Sequence, residues 1–295
     1  MAEYPLQGRT IFITGGASGI GAEVARQASK RGARLALVDV DIAGAEQLAA
    51  ELPNAIAIQA DVRDYESLQA AVAKTVEAFG GIDVAMANAG IETTGTGRGA
   101  PLEDIERIAD VNFTGVLRTV KAVMPQLIDR RGYLLITASL AAILHGPPLS
   151  HYVATKAGVE AFGDSVRIEV AHKGVDVGVA YFGFIDTPMV ARGKADPILA
   201  EFEMRSGDNF LGRTYPVSGA AAAVVRGIES RARRVIYPRF IRAFMAIRSL
   251  APRILDRAMA RENVGELVDA LDARDLRPQR QGESPSREHH EQLLS

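Results

Sequence analysis

Tyr152 and Lys156, in the run Tyr-Val-Ala-Thr-Lys, are four residues apart in a segment that reads as helix. A helix returns to the same face about every 3.6 residues, so the phenol and the ammonium project together. An ammonium beside a phenol favours the phenolate, drawing a group with a free pKa of about 10 toward working pH. Such a pair can give a proton to a carbonyl or take one from an alcohol. Ser139 stands thirteen residues upstream of the tyrosine, at the end of an apolar run that reads as a strand. Taken alone, a Tyr-x-x-x-Lys pair is weak, because chance places it on many exposed helices. A second motif gives it weight.

That motif is Thr14-Gly15-Gly16-Ala17-Ser18-Gly19-Ile20-Gly21, preceded by the β-branched and aromatic run Arg9–Ile13 and followed by the helix former Ala22–Ala28. Strand, glycine turn and helix are the context that a dinucleotide pyrophosphate requires. Glycines let the backbone approach the phosphates, and the helix N-terminus offers unpaired N–H groups with a partial positive charge. Asp39 closes the next strand, Leu35–Val38, about 20 residues after the glycines, where a carboxylate can take the adenosine ribose hydroxyls.

With both motifs in view, the chain resembles the short-chain dehydrogenase/reductase family, in its single-domain branch. The resemblance covers about residues 8 to 237. It is carried by an ordered set: Thr14-Gly15…Gly19-Ile20-Gly21, Asp61-Val62, Asn88-Ala89-Gly90, Asn112, Ser139, Tyr152-x-x-x-Lys156 and Gly183…Thr187. The resemblance implies a catalytic set of Asn112, Ser139, Tyr152 and Lys156. Tyr152 would exchange the proton, and Lys156 would lower its pKa and hold the nicotinamide ribose. Ser139 would fix the reacting oxygen, and Asn112, matching the family's asparagine that interrupts a helix, would anchor a water relaying protons from the lysine. It also implies cofactor contacts from Gly15, Ser18, Gly19, Ile20, Gly21, Asp39, Asp61, Val62, Asn88, Ala89, Gly90, Tyr152, Lys156, Ile185 and Thr187. For Asp61 the bland alternative is a cap on the following helix. Phe182 stands where the family commonly has proline, and should turn an aromatic ring toward the substrate or nicotinamide. The family's closing aspartate and paired glycines after the last strand are missing. A carboxylate at 39 repels a 2′-phosphate, while Ser18 and Val40 occupy positions where phosphate-binding relatives carry a cation, so NAD is expected over NADP.

Composition sets further bounds. The 295 residues carry a formal net charge of −2, which gives no global argument for nucleic acid. There is no cysteine, hence no disulfide or thiolate chemistry. His145 and His151 flank the tyrosine motif without metal-ligand spacing, so no metal is expected. No basic and apolar leader pattern opens the chain, and no apolar run approaches the ~18 residues of a spanning helix, so cytoplasmic residence is the expectation.

The elements that must position these groups alternate along the chain. Strands are expected at 9–14, 34–39, 55–60, 82–87, 132–138, 175–181 and 233–237. Helices are expected at 19–31, 42–52, 64–79, 101–112 running on toward 130, 150–173 and 217–230. Alternation of this kind predicts an α/β fold: a doubly wound parallel sheet (Rossmann fold) in three layers, with ligands beyond the carboxyl ends of the strands. The expected division is a dehydrogenase domain over 1–237, a helical extension over 238–276 and a disordered polar tail over 277–295. Apolar surface on the helices of 101–130 and 150–173 points to a homodimer or homotetramer.

Residues 231 to 261 hold nine arginines against one acid, Asp256, with Phe240, Ile241, Phe244, Met245 and Ile247 interleaved. Pro252 divides this stretch into two short helices. Val264, Leu267, Val268 and Leu271 then form an apolar stripe, with Glu262, Glu266, Asp269 and Asp272 on its polar side. Two readings compete. The acidic helix pairs with the basic one and both cover the substrate cleft, or residues 238–261 lie peripherally on an anionic membrane. The functional expectation is an NAD-dependent oxidoreductase interconverting a secondary alcohol and a ketone. Phe182, Phe184, Leu140, Ile143 and Leu144 suggest a bulky apolar substrate, steroid-like or similar. The alternatives are an NADP-dependent 3-oxoacyl-carrier reductase and a non-catalytic nicotinamide-binding sensor.

Overall fold

Period-two burial builds the core of the sheet. In the computed structural model, which describes residues 4–206, 213–246, 248 and 264–276, seven strands form one sheet: β1 (Thr10–Thr14), β2 (Arg34–Asp39), β3 (Ala55–Gln59), β4 (Val84–Ala87), β5 (Tyr133–Thr137), β6 (Asp176–Phe182) and β7 (Arg234–Tyr237). Every pairing is parallel and the spatial order is β3-β2-β1-β4-β5-β6-β7. Successive side chains alternate between faces. Phe12, Ala36, Val38, Leu134 and Ile136 enter one apolar cluster, whereas Ile11, Ile13, Leu35, Leu37 and Leu135 enter the other.

Helices cover both faces, giving three layers. α1 (Gly19–Ser29), α2 (Ile42–Glu51) and α9 (Val217–Glu229) bury Val24, Leu48 and Val224 on one side. α3 (Tyr65–Phe79), α5 (Gly115–Arg130) and α6 (Ser150–Val170) bury Ala71, Val123 and Val159 on the other. The chain steps outward from β1 to β3 and then crosses back to β4, so strand order reverses between β1 and β4. That switch point is where a crevice opens at the strand ends.

The expected strands and long helices are present, with their ends displaced by a residue or two. The helix expected to run from 101 toward 130 is interrupted around Asn112, where the resemblance puts a break. α4 (Leu102–Ala109) passes through one π turn, Asp110–Thr114, before α5 begins. Two helices were not anticipated: α7 (Pro188–Lys194) and α8 (Pro197–Ser206). Their start signals are local. Thr187 caps α7 by accepting from the Val190 N–H, and Asp196 caps α8 by accepting from Ile198 and Leu199, each ahead of a proline at the first helical position.

Beyond β7 lie α10 (Ile241–Ala246) and α11 (Val264–Asp275). Ile241 is fully buried in the α6-side core, and Phe240, Phe244 and Met245 pack against that core. Over this stretch the apolar residues that a membrane contact would need on the outside face inward. The rest of the basic segment, residues 249–263, and the expected tail from 277 lie outside the described residues. Among the described residues no helix is long and apolar enough to cross a membrane.

The expected pairing of acidic with basic helix is not what the described residues show. Asp269 and Asp272 of α11 face Arg98, in the loop after β4. Arg248 pairs with the buried Glu160 on α6, and Arg234 with Asp164. Asp272, expected on the polar side of α11, is buried beside Leu271, because it also accepts from Thr96 Oγ1.

Candidate active site

The glycine loop sits at the carboxyl end of β1, against the end of β4. Gly15 has φ +67°, and a Cβ there would stand 2.9 Å from the Ala89 Cα. A Cβ on Gly21 would run into the carbonyl oxygen of Gly15. Both positions therefore require glycine, and the backbone is left bare where a pyrophosphate would lie. Ser18 is the N-cap of α1 but makes no side-chain hydrogen bond to it, so the first N–H groups of that helix are left for an anion. Ile20 follows in the same turn and packs toward the α1-side core.

Asp39 is fixed at the end of β2: its carboxylate accepts from the Ala17 N–H at 2.9 Å and the Asp41 N–H at 3.1 Å. Asp61 and Val62 follow β3. The Asp61 carboxylate is gripped by Arg63 at 2.6 Å and 2.9 Å, and this hydrogen bonding holds it below the usual carboxylate range. The helix cap considered for Asp61 belongs to Asp64, which accepts from the Glu66 N–H. Asn88 ties three strand ends together. Its N–H donates to Thr14 Oγ1 at 3.0 Å, its Nδ2 to the Thr14 and Gly15 carbonyls, and its Oδ1 accepts from Thr137 Oγ1. Ala89 donates to Thr14 Oγ1 as well. On the far side, Thr187 covers the loop. A Cβ on Gly19 would stand 3.4 Å from the Thr187 methyl, while Thr187 Oγ1 donates to the Ile185 carbonyl. The residues present fit a dinucleotide.

The second set converges on the end of β5. Ser139 begins a short 3₁₀ turn, its Oγ accepting from the Ala141 N–H at 3.1 Å. Lys156 is only 4% exposed, its Nζ donates to the Thr137 carbonyl at 3.1 Å, and it stands 5.5 Å from the centre of the Tyr152 ring. Asn112 is fully buried at the π turn, where it brackets Ile91. Its Oδ1 accepts from the Ile91 N–H and its Nδ2 donates to the Ile91 carbonyl, both at 2.8 Å. Gly90 lies against both groups: a Cβ there would stand 3.2 Å from Asn112 Oδ1 and 3.6 Å from Lys156 Nζ.

The electrostatics differ from the expectation that Lys156 would pull the phenol down. Burial is the main influence on Tyr152 and raises its pKa. The Glu92 carboxylate raises it further, and a side-chain hydrogen bond with Ser139 acts the other way. Burial pushes Lys156 down to about 8, and Glu92 opposes that.

These groups line one cavity of ≈ 1480 Å³, apart from Gly21 and the fully buried Asn112, which stand behind its wall. Its substrate side is walled by Leu140, Leu144, Phe184, Met189, Leu199 and, from α11, Leu267. Phe182 reaches this wall but is 4% exposed and belongs largely to the α9-side core. Ile143 is not part of the wall: it is buried in the opposite core.

The family model described as short chain dehydrogenase matches residues 9–197. The chain belongs to the short-chain dehydrogenase family. It is 36% identical over 190 residues to "Oxidoreductase UcpA" of Salmonella typhimurium, covering 62% of this chain and 72% of that protein. It is 31% identical over 225 residues to "3beta-hydroxysteroid dehydrogenase 1" of Eggerthella lenta, covering 74% and 86% respectively. Among solved structures it superposes with TM-score 0.70 on a 3-ketoacyl-(acyl-carrier-protein) reductase from Brucella melitensis complexed with NADH. That match has 27% identity and covers 79% of this chain and 97% of that one. The chain is thus an oxidoreductase of short-chain dehydrogenase type on a fold that binds a nicotinamide cofactor.

Three parts of this dehydrogenase's site escaped sequence reasoning. Glu92 lies two residues past the Asn-Ala-Gly motif and faces the Tyr152–Lys156 pair; an acid in the loop after β4 was the available signal. His151, read as incidental, brackets the same loop, its Nε2 lying 3.0 Å from the Thr93 carbonyl and 3.1 Å from Thr93 Oγ1. The third is the wall supplied by α7 and α8, whose proline starts were the overlooked mark.

Proposed function

We propose that this short-chain dehydrogenase interconverts a secondary alcohol and a ketone on a bulky, largely apolar substrate and uses NAD in preference to NADP. The carrying observation is that the glycine loop, Asp39 and the Ser139–Tyr152–Lys156 group open onto one cavity whose substrate side carries Leu140, Leu144, Phe184, Met189, Leu199 and Leu267 beside a few charged groups. The relative named for a 3β-hydroxysteroid supports a substrate of steroid-like bulk.

In this reading the glycine loop and the uncapped start of α1 receive the pyrophosphate, and Asp39 takes the ribose hydroxyls. Asp61, Val62 and Val40 border the adenine, and Asn88–Gly90, Ile185 and Thr187 the nicotinamide half. The nicotinamide supplies or accepts the hydride. Ser139 Oγ and Tyr152 Oη bind the reacting oxygen and fix its position. In the reducing direction the Tyr152 hydroxyl gives its proton to that oxygen as negative charge develops there. Its raised proton affinity keeps it loaded for that step. Lys156 holds the nicotinamide ribose and stabilises the tyrosinate left behind. Asn112 positions Ile91 and Gly90 and offers a polar anchor for a water that returns the proton.

α11 serves as a lid. Val264 and Leu267 face the cavity, while Asp272 fastens the helix to Thr96 and Arg98. Two exposed apolar side chains, Leu102 on α4 and Ile168 on α6, support pairing of the protein with a second copy through those helices, which light scattering checks by mass. The functional test is a panel of alcohols and ketones assayed with NAD and NADP. Turnover of bulky apolar members with NAD is expected. Preference for NADP, or for small polar substrates, sinks the reading.

A further inference from the structure

Glu92 is a carboxylate in the wall of a largely apolar cleft, and the proton-transfer scheme above leaves it without a task. It lines the cavity beside Tyr152 and Lys156, and both feel its charge. It makes no hydrogen bond or ion pair with any described residue.

The position is nonetheless built. On one side the backbone of Ile91 is bracketed at both its N–H and its carbonyl by the buried Asn112. On the other the Thr93 carbonyl and hydroxyl are held by His151, itself buried. From the facing wall, α7 brings Gly193 so close that a Cβ there would stand 3.4 Å from Glu92 Oε1. The carboxylate is thus clamped at both flanks, between α7 and the reacting pair. Desolvation has raised its pKa against the influence of Lys156. Water in the cavity can solvate this half-buried carboxylate, but an apolar substrate that displaces the water leaves it without a donor, at a cost, unless the substrate brings one.

The cavity dictates what kind of donor. Lys156, Arg107, Arg192 and Lys194 line this cavity along with Glu92, so a cationic substrate would meet more repulsion than a single carboxylate offsets. A neutral hydroxyl meets no such penalty. Glu92 follows two residues after Gly90, where a Cβ would stand 3.6 Å from Lys156 Nζ, and it lines the same cavity as Tyr152, so the hydroxyl belongs close to the reacting carbon.

We propose that Glu92 accepts a hydrogen bond from a second oxygen of the substrate, making this enzyme selective for apolar hydroxyketones and the matching vicinal diols. The proposal rests on the dehydrogenase reading above and names its substrate class. The held hydroxyl is unchanged by the reaction: only the neighbouring carbonyl gains a hydride and a proton.

The test compares benzoin with deoxybenzoin, which differ by that hydroxyl, with NADH as reductant. The unmodified protein and the variants Glu92→Gln and Glu92→Leu are assayed in parallel, and retained NADH affinity certifies that each variant is folded. The unmodified protein should favour benzoin. In Glu92→Leu the ratio of the two kcat/KM values should fall about tenfold to a hundredfold, chiefly through the KM for benzoin. Glu92→Gln, which keeps an acceptor oxygen, should fall less. A ratio unmoved in both variants overturns the proposal. So does an equal loss on both ketones with a displaced pH profile, which would make Glu92 a positioning residue for the proton-transfer pair. Turnover of deoxybenzoin but not benzoin overturns the substrate class alone. Absence of any turnover across the alcohol and ketone panel overturns the reading beneath it.

Discussion

The β1–β4 half of the molecule and the half beyond β5 solve different problems. In the first, each cofactor-facing group is set by its own backbone or by a neighbour at the same sheet edge. Gly15 turns at positive φ, Asp39 accepts from Ala17, and Asn88 stitches β1, β4 and β5. In the second, the walls come from α7, α8 and α11, which are held over the site largely through contacts distant in sequence. Thr96 with Asp272, Arg274 with Asp196 and Glu92 with Gly193 are examples. On the proposed function, one half is fixed at the sheet edge, whereas the other is the adjustable one that would carry the selectivity.

The sharpest way to break that division is to strike where the halves meet. Tyr152→Phe keeps the ring but loses the proton, and turnover should drop by roughly 10² to 10⁴ with NADH affinity retained. Near-normal turnover in a stopped assay would remove Tyr152 from the scheme.

Lys156 tests the electrostatics of the same seam. Its folded pKa of about 8 lies below the free value of 10.5, so between these pH values the unfolded chain binds more protons and stability rises with pH. The destabilising contribution is complete below pH 8 and gone above the free value. Lys156→Met lacks this dependence. Its stability relative to the unmodified protein should therefore decline by about 3 kcal/mol across that window. Parallel denaturant titrations at several pH values check it, and a flat difference contradicts it.

Within the nucleotide half, Asp39→Ala should weaken NAD and relax discrimination against NADP by about tenfold, as the repulsion of a 2′-phosphate is removed. Tighter binding of NADPH than of NADH by the unmodified protein would overturn the assignment. The smallest effect is expected in the adjustable half. Asp272→Asn loosens α11 and should raise KM for bulky apolar substrates by about threefold while leaving NADH affinity alone. Equal effects on cofactor and substrate would erase the contrast between the halves.

Legibility in the sequence follows the same line. The glycine loop, Asp39, the Asn-Ala-Gly turn and Tyr152 with Lys156 could be read because their spacing is imposed by one strand, one turn or one helix period. The resemblance marked Asn112 as a break in a helix, but the π form of that break at Asp110–Thr114 was not legible: it needs Asn112 to find Ile91, a residue on a different segment. The membrane reading of residues 238–261 failed over α10 for a related reason. Amphipathic periodicity says that an apolar face exists but not what covers it, and here the core beside α6 does.

What the sequence by itself determined was the parallel α/β order, the place of the glycine loop and the shared helix face of Tyr152 and Lys156. All of these follow from short-range periodicity and backbone permissiveness. Only the tertiary structure decided which charges meet. Asp272 answers Arg98, Glu160 takes Arg248, and Glu92 lines one cavity with Tyr152 and Lys156. Partners of that kind are chosen by the closing of loops over the sheet edge, an event with no period to read in the chain.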